Sequence, residues 1–260
     1  MNFILIDGSY YCFYRYYAIL NWFKFAHKEI DLNVPIENDE FVDKFKKTFV
    51  SKIKEIPKKL KIENPIVYVA KDCSRKDIWR NSHDNSYKAT RVYDDSFMGG
   101  PFFKLAYDEL FESSGIPDKH ILYLDTLEAD DCIAIMAKKI IENDPNNTVT
   151  IITSDTDYLQ LIQPGIKLYS LKLKPVRTKK NSTGCAEQDL FYKIILGDKS
   201  DNIPKVFKKC GKKTVEKFWN DRALLEAQFE KEQGSRDKFN HNKKLIDFNM
   251  IPMGLQEAFI

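Results

Sequence analysis

The chain has 260 residues, 43% of them hydrophobic and 13% aromatic, which suits one large α/β domain or one domain with an appendage. Its net charge of +3 is the small remainder of 41 Lys and Arg against 38 Asp and Glu, so both signs can be sorted onto separate surfaces and the net charge excludes no partner. Apolar runs fall short of the ~20 residues of a membrane span, the start MNFILIDG lacks a basic signal-peptide segment, and five cysteines without CxxC spacing fit free thiols better than a disulfide framework. The expectation is a soluble intracellular protein, placed in the cytoplasm, the nucleus or a viral replication site.

In chain order, the first predicted strand is Phe3–Ile6, closed by Asp7. Tyr10, Tyr11, Tyr14, Tyr16 and Tyr17 then fit a partly buried helix. A helical pattern covers about 40–60, a strand Ile66–Ala70 follows, and Asp72 comes two residues later. Residues 71–100 read as irregular, rich in basic and aromatic side chains and broken by Met98-Gly99-Gly100-Pro101. A loop of that length inside a compact domain is usually functional or mobile. Beyond it lie a helical pattern at 101–114, a strand at Ile121–Leu124, a helix at 128–142, and strands at Val149–Thr153 and Ile166–Leu171. From about residue 186 the strands stop, and helical patterns with lysine-rich turns continue to about 247. Such alternation predicts a mainly parallel sheet flanked by helices, residues 1–186, with a helical subdomain and tail over 187–260.

LEADDCIAIMA, residues 127–137, crowds Glu128, Asp130 and Asp131 at the mouth of an apolar helix. Capping by Asp125 or Thr126, together with the helix dipole, accounts for one or two acids but not for three. Asp7, Asp72, the Asp125–Asp131 group, and Asp155 with Asp157 each follow a predicted strand. Parallel strands share one C-terminal edge, where open α/β sheets place their ligands. Carboxylates gathered there raise one another's pKa until a cation relieves them. Oxygen ligands select Mg²⁺ or Mn²⁺, which leaves Cys73 and Cys132 as packing residues. The number of acids suits two ions, the arrangement used for phosphodiester hydrolysis.

Two segments supply the opposite charge. RKDIWRNSHDNSYKATR interleaves Arg75, Lys76, Arg80, Lys88 and Arg91 with Trp79 and Tyr87, a mixture suited to a nucleic-acid backbone and stacked bases. GDKSDNIPKVFKKCGKKTVEKFW sets Asp198 and Asp201 ahead of Lys205, Lys208, Lys209, Lys212, Lys213 and Lys217, at a turn that opens a helix. His27, His83, His120 and His241 form no triad pattern, Ser9 lacks a base, and no nucleophilic side chain is assigned.

LEADDCIA, ITSDTDYLQLI and ILGDKSDNIP, in that order, resemble the 5′-nucleases of the flap endonuclease superfamily, with the PIN-like fold. That group takes in phage 5′-exonucleases, T-even phage ribonuclease H and the 5′–3′ exonuclease domain of bacterial DNA polymerase I. WRNSHDNSYKATR is similar to the arch segment of the phage members, here about 73–100. The resemblance covers residues 3 to about 220 and implies a first metal held by Asp7, Asp72, Glu128 and Asp130. Asp131, Asp155, Asp157 and Asp201 would surround a second, with Asp198 nearby. Lys88 and Arg91 would act on the scissile phosphate. Arg75, Arg80, Tyr87, Lys205, Lys208, Lys209, Lys212 and Lys213 would contact DNA, the lysines from a helix–three-turn–helix over Asp198 to Trp219. In the family this motif commonly reads IPGVPGIGPKTA; here it is IPKVFKKCGKKTV, and the lost glycines argue against a bound K⁺.

The implied activity is Mg²⁺-dependent 5′–3′ exonuclease or flap endonuclease cleavage, with RNA-primer removal of the ribonuclease H type within its range. The implied partners are branched or 5′-ended duplex DNA or an RNA/DNA hybrid, with replication-clamp or single-strand-binding-protein contact by a monomer. A duplex-binding module without catalysis has no reason to hold repelling acids, and a small-molecule phosphohydrolase leaves the lysine-rich third unexplained.

Overall fold

The computed structural model describes residues 1–30, 32–92, 94 and 96–260. Five parallel strands form one sheet in the order β3-β2-β1-β4-β5: β1 (Asn2–Asp7), β2 (Ile66–Ala70), β3 (Ile121–Leu122), β4 (Thr148–Ile152) and β5 (Ile166–Tyr169). All the predicted strands are present, with two shortened. β3 is an edge strand that pairs with β2 over two residues, after which the chain turns, with Leu127 N–H donating to Leu124 C=O. β5 stops at Tyr169, where Ser170 N–H turns back to Lys174 C=O.

Helices cover both faces, as near-continuous apolar strands require. On one side, Ile4, Ile6 and Val69 pack against α1 (Gly8–Ala26) and α2 (Asp39–Leu60). The same layer holds α3 (Gly100–Leu105), which widens into a π-helical turn at Ala106–Leu110 and ends in α4 (Phe111–Ser113). On the other side, Phe3, Leu5, Val149 and Ile151 pack against α5 (Ala129–Asn143). The helical third comprises α6 (Ala186–Leu196), α7 (Lys212–Asn220), α8 (Arg222–Lys231), α9 (Ser235–Ile246) and α10 (Met253–Phe259). Most of it shares a small core of Phe191, Ile195, Val206, Phe207, Phe218 and Phe229. Its end returns to the sheet layer, where Phe248 and Ile251 join the α5 core.

After β2 the chain is irregular, and its stretch from Cys73 to Tyr87 is packed against the helical part. Short 3₁₀ turns at Arg75–Asp77 and Trp79–Ser82 bring Ile78 and Tyr87 against Ile194, Ile203, Leu245 and Ile246. Asp84 pairs with His241 at 2.9 Å, and Asn202 Nδ2 donates to Ser86 C=O at 2.9 Å. All five cysteines are free, and Cys73 and Cys132 are packing residues within the apolar clusters, as read from the ligand chemistry. Among the described residues no helix is long and apolar enough to cross a membrane.

Candidate functional site

The C-terminal edge of the sheet gathers the acids, each locally held. Asp7 ends β1 and caps α1, its Oδ1 accepting from Tyr10 N–H at 2.9 Å. Asp72 bridges two helix starts, accepting from Ala129 N–H at 2.8 Å and from Ser9 Oγ at 2.5 Å. Thr153, just past β4, reaches Asp7 Oδ2 at 3.4 Å and accepts from Asp155 N–H at 3.1 Å. Asp155 in turn accepts from Asp157 N–H at 2.9 Å. Asp130 accepts from Asp131 N–H at 2.8 Å, at the first turn of α5.

Electrostatics show what this crowding costs. Burial, reinforced by the charges of Asp72 and Asp155, pushes the Asp7 carboxyl from 3.8 up to about 7. Burial, then Glu128 and Asp131, push Asp130 well above the carboxylate range. Beneath them lies Tyr158, 1% exposed, whose hydroxyl has no hydrogen-bond partner. Burial and the carboxylates of Asp7, Asp130, Asp155 and Asp72 all disfavour its ionisation. Those four acids take part in no ion pair among the described residues, and a buried hydroxyl without a partner faces them. A hydrated divalent cation fits this group: it would relieve the repulsion, and its waters would satisfy the hydroxyl.

The neighbouring acids already have cations. Arg80, 1% exposed, donates to Asp131 Oδ1 and Oδ2 at 2.7 Å each, to Glu128 Oε2 at 2.9 Å and to Leu245 C=O at 2.7 Å. Asp131 also accepts from Trp79 Nε1 at 2.9 Å and from Glu128 N–H at 3.2 Å, so its oxygens are fully engaged. Lys88 pairs with Glu128 and Arg91 with Asp201, while Tyr87 O–H donates to Glu128 at 3.1 Å. Burial opposes the charge on Lys88, but Glu128, Asp130 and Asp201 raise its pKa further than burial lowers it. Lys193, on α6, bridges Asp157 and Asp198, lying 2.9 Å from the latter. Although burial raises Asp198, hydrogen bonds from Ser200 and the charge of Lys193 bring it down to about 2. Two acid sets converge closely enough to share an ion, Glu128 with Asp130 and Asp131, and Asp157 with Asp198 and Asp201.

Several expectations shift. Arg80, read as a DNA contact, is sealed under the acids by Leu245, and its charge is needed there. Tyr87, read as a base-stacking ring, is buried with its hydroxyl on Glu128. Arg75 turns inward to the carbonyls of Lys88 and Arg91. Asp155, grouped by resemblance with the second ion, is close enough to Asp7 to raise its pKa and also accepts from Asp157 N–H. Asp131 is enclosed and doubly held by Arg80. The α5 cap is Glu128, with Asp131 reaching back to it, while Asp125 accepts from Tyr123 O–H and Thr126 is left without a side-chain partner. Lys208, Lys209, Lys212 and Lys213 are exposed on the turn and first helical residues around α7, and Lys205 Nζ donates to Cys210 C=O at 3.0 Å. Lys193 and Tyr158 escaped the sequence reading. The signal for Lys193 was a lone lysine on an apolar helix four residues before Gly197-Asp198.

The family described as 5′-3′ exonuclease, N-terminal resolvase-like domain, matches residues 2–192. The chain belongs to this 5′-3′ exonuclease family. Ribonuclease H of Enterobacteria phage T4 is 28% identical over 202 residues, which are 70% of this chain and 64% of that protein. DNA polymerase I of Caldicellulosiruptor bescii is 31% identical over 163 residues, 58% of this chain but 18% of the polymerase. The chain thus spans under two thirds of the curated relatives it matches. The fold is that of T5 5′-exonuclease, solved with bound zinc, at a TM-score of 0.67 and 19% identity, covering 100% of this chain and 97% of that one. T5 flap endonuclease, solved with DNA and metal ions, superposes at 0.61 with 17% identity, covering 100% and 96%.

Proposed function

We propose that the chain is a divalent-metal-dependent 5′-nuclease acting on branched or 5′-ended duplexes, with RNA-primed ends within its range. The observation that carries this is the group Asp7, Asp72, Asp130 and Asp155: acids in no direct ion pair among the described residues, at the ligand-binding edge of a parallel sheet, around an unpartnered hydroxyl. These four would hold one Mg²⁺, in part through its waters, with Glu128 at their border, and Asp157, Asp198 and Asp201, whose oxygens already lie close enough to share an ion, would hold a second. Oxygen-only ligation favours Mg²⁺, with Mn²⁺ able to replace it. Bound there, such ions supply an activated water and charge neutralisation at a phosphodiester.

The protein's own groups divide the remaining work. Arg80 fixes Asp131 and Glu128 as a rigid, neutralised base beneath the site. Lys88 and Arg91 balance Glu128 and Asp201 in the protein alone and turn to the scissile phosphate once cations take over that balance. Lys205, Lys208, Lys209, Lys212 and Lys213 would hold the duplex behind the cut, as a helix–three-turn–helix over residues 198–219. The test is cleavage of a 5′-labelled flap duplex and a nicked duplex in Mg²⁺ and in EDTA, with Asp155→Asn alongside. The reading requires cutting in Mg²⁺ only, and a variant that binds but does not cut. Cleavage that survives EDTA would sink it.

A further inference from the structure

Beyond the acids, a cleft of about 680 Å³ opens between α6, the loop 176–184, the first turn of α7 and the 3₁₀ turn at Asp157–Leu161. Lys193, Asp157 and Asp198 line its inner end, so it is continuous with the proposed metal centre. Lys179 and Lys180 line it from the loop, Lys212 and Lys213 from the first turn of α7, and Lys199 from the turn after α6. All five are exposed and take part in no ion pair among the described residues. The acids of the cleft are largely spent. Asp157 and Asp198 hold Lys193, and Asp189 accepts from Ser182 Oγ at 2.5 Å and Thr183 N–H at 2.6 Å; only Glu216 is left over.

The lysine-bearing loop is a built wall. Asn181 Oδ1 accepts from Thr178 N–H at 2.8 Å and from Thr178 Oγ1 at 3.0 Å, and Asn181 Nδ2 donates to Val176 C=O at 2.8 Å. Arg177 ties the two ends of the loop by donating to Gly184 C=O. α7, which also lines the cleft, begins after an N-cap Gly211 with no side-chain cap and no acid in its first turn, so its amides and dipole add to Lys212 and Lys213.

We infer that this cleft binds the sugar–phosphate backbone of one strand next to the cleavage centre, with Lys179 and Lys180 as phosphate-binding residues alongside Lys212 and Lys213. The inference rests on the nuclease reading and extends it to residues outside the matched motifs. The charges come from three separate segments of the lining, which suits a repeating polyanion better than a single small anion. The one aromatic lining residue, Tyr192, is partly buried and packed against the core of the helical third, so the lining favours contacts to backbone over stacking on bases.

The test is equilibrium binding of a fluorescent nicked duplex in EDTA between about 50 and 200 mM salt. The proteins are the wild type, Lys179→Ala/Lys180→Ala, the charge-keeping Lys179→Arg/Lys180→Arg, and Lys47→Ala/Lys54→Ala on α2 as a control for lost charge. Two lost phosphate contacts should weaken binding and flatten the slope of log K against log salt by about 1.8, with the arginine variant and the control near wild type. An alanine variant with wild-type slope and affinity overturns the inference. So does displacement of the duplex by low-millimolar inorganic phosphate with an unchanged slope, which would mark a small-anion site. A wild type that neither binds nor cuts the duplex would instead strike the nuclease reading beneath it.

Discussion

Asp7 serves two ends that work against each other. Its carboxylate caps α1, which favours the charged form, yet burial beside Asp72 and Asp155 raises its pKa to about 7. Because the folded value lies above the ordinary one, the native state keeps an extra proton between about pH 4 and 7. Without a divalent cation, this carboxyl therefore costs stability progressively as pH rises through that window, and most above it. Asp7→Asn keeps a capping side chain and removes the charge. In EDTA it should melt above the wild type at pH 7.5, and the gap should close toward pH 4; a gap independent of pH would refute the cause given. Arg80 is the reverse case. Its removal leaves Glu128 and Asp131 buried with less compensation, so Arg80→Ala should lose about 3–5 kcal/mol in urea unfolding. A loss under 1 kcal/mol would place those acids in contact with solvent. The sequence could not separate Arg80 from its basic neighbours. A cation destined for phosphate and one destined for a buried pair are the same residue, and only the return of Leu245 over it decides the difference.

At the level of elements, the strand ends were legible because four apolar runs closed on acids, and parallel connectivity put those ends on one edge. Turns and caps were less so. Glu128 takes the cap of α5 in place of Asp125 or Thr126, since β3 ends early and the chain tightens before the helix. Gly8 and Gly197 explain how the acids come so close. A Cβ on Gly8 would lie 2.4 Å from Ala70 C=O, so its absence lets the start of α1 sit against the end of β2 and brings Asp7 toward Asp72. Gly197 has φ +67, and a Cβ there would lie 2.4 Å from Ile203 C=O. It permits the turn in which Asp198 and Ile203 exchange backbone hydrogen bonds and present Asp198 and Asp201. Gly197→Ala combines a left-handed φ with a backbone clash and should cost more than the ~1 kcal/mol of φ strain alone. It should also weaken Mn²⁺ binding measured by calorimetry. An alanine variant with unchanged metal affinity would show that the turn does not set the positions of these acids.

Across the whole molecule, composition and alternation pointed to the α/β sheet and the helical third, but no motif hinted at what the last residues do. They close the structure. Phe248 and Ile251 are buried in the core that α5 makes with the sheet, Gln160 exchanges hydrogen bonds with Ile246 and Phe248, and Lys138 donates to Asn249. Asn242 reaches Ile194 and Pro204 carbonyls from α9, and Arg80 reaches Leu245, so contacts run between the strand-bearing part and the end of the helical part at several points. Such a network links the stability of the acidic edge to the tail. The intact protein should therefore unfold in one cooperative transition. Deletion of residues 248–260 removes two buried apolar side chains, each contributing about 1.5–3 kcal/mol, along with the hydrogen bond from Phe248 N–H to Gln160. The truncated protein should lose about 3–6 kcal/mol in urea unfolding, and melt at a lower temperature. Added Mg²⁺ should still raise its midpoint, because the cation binds only the folded edge and the proposed ligands remain. Separate transitions in the full-length protein, or a truncated form as stable as the parent, would mean that the tail only rests on the core and that the two parts fold independently.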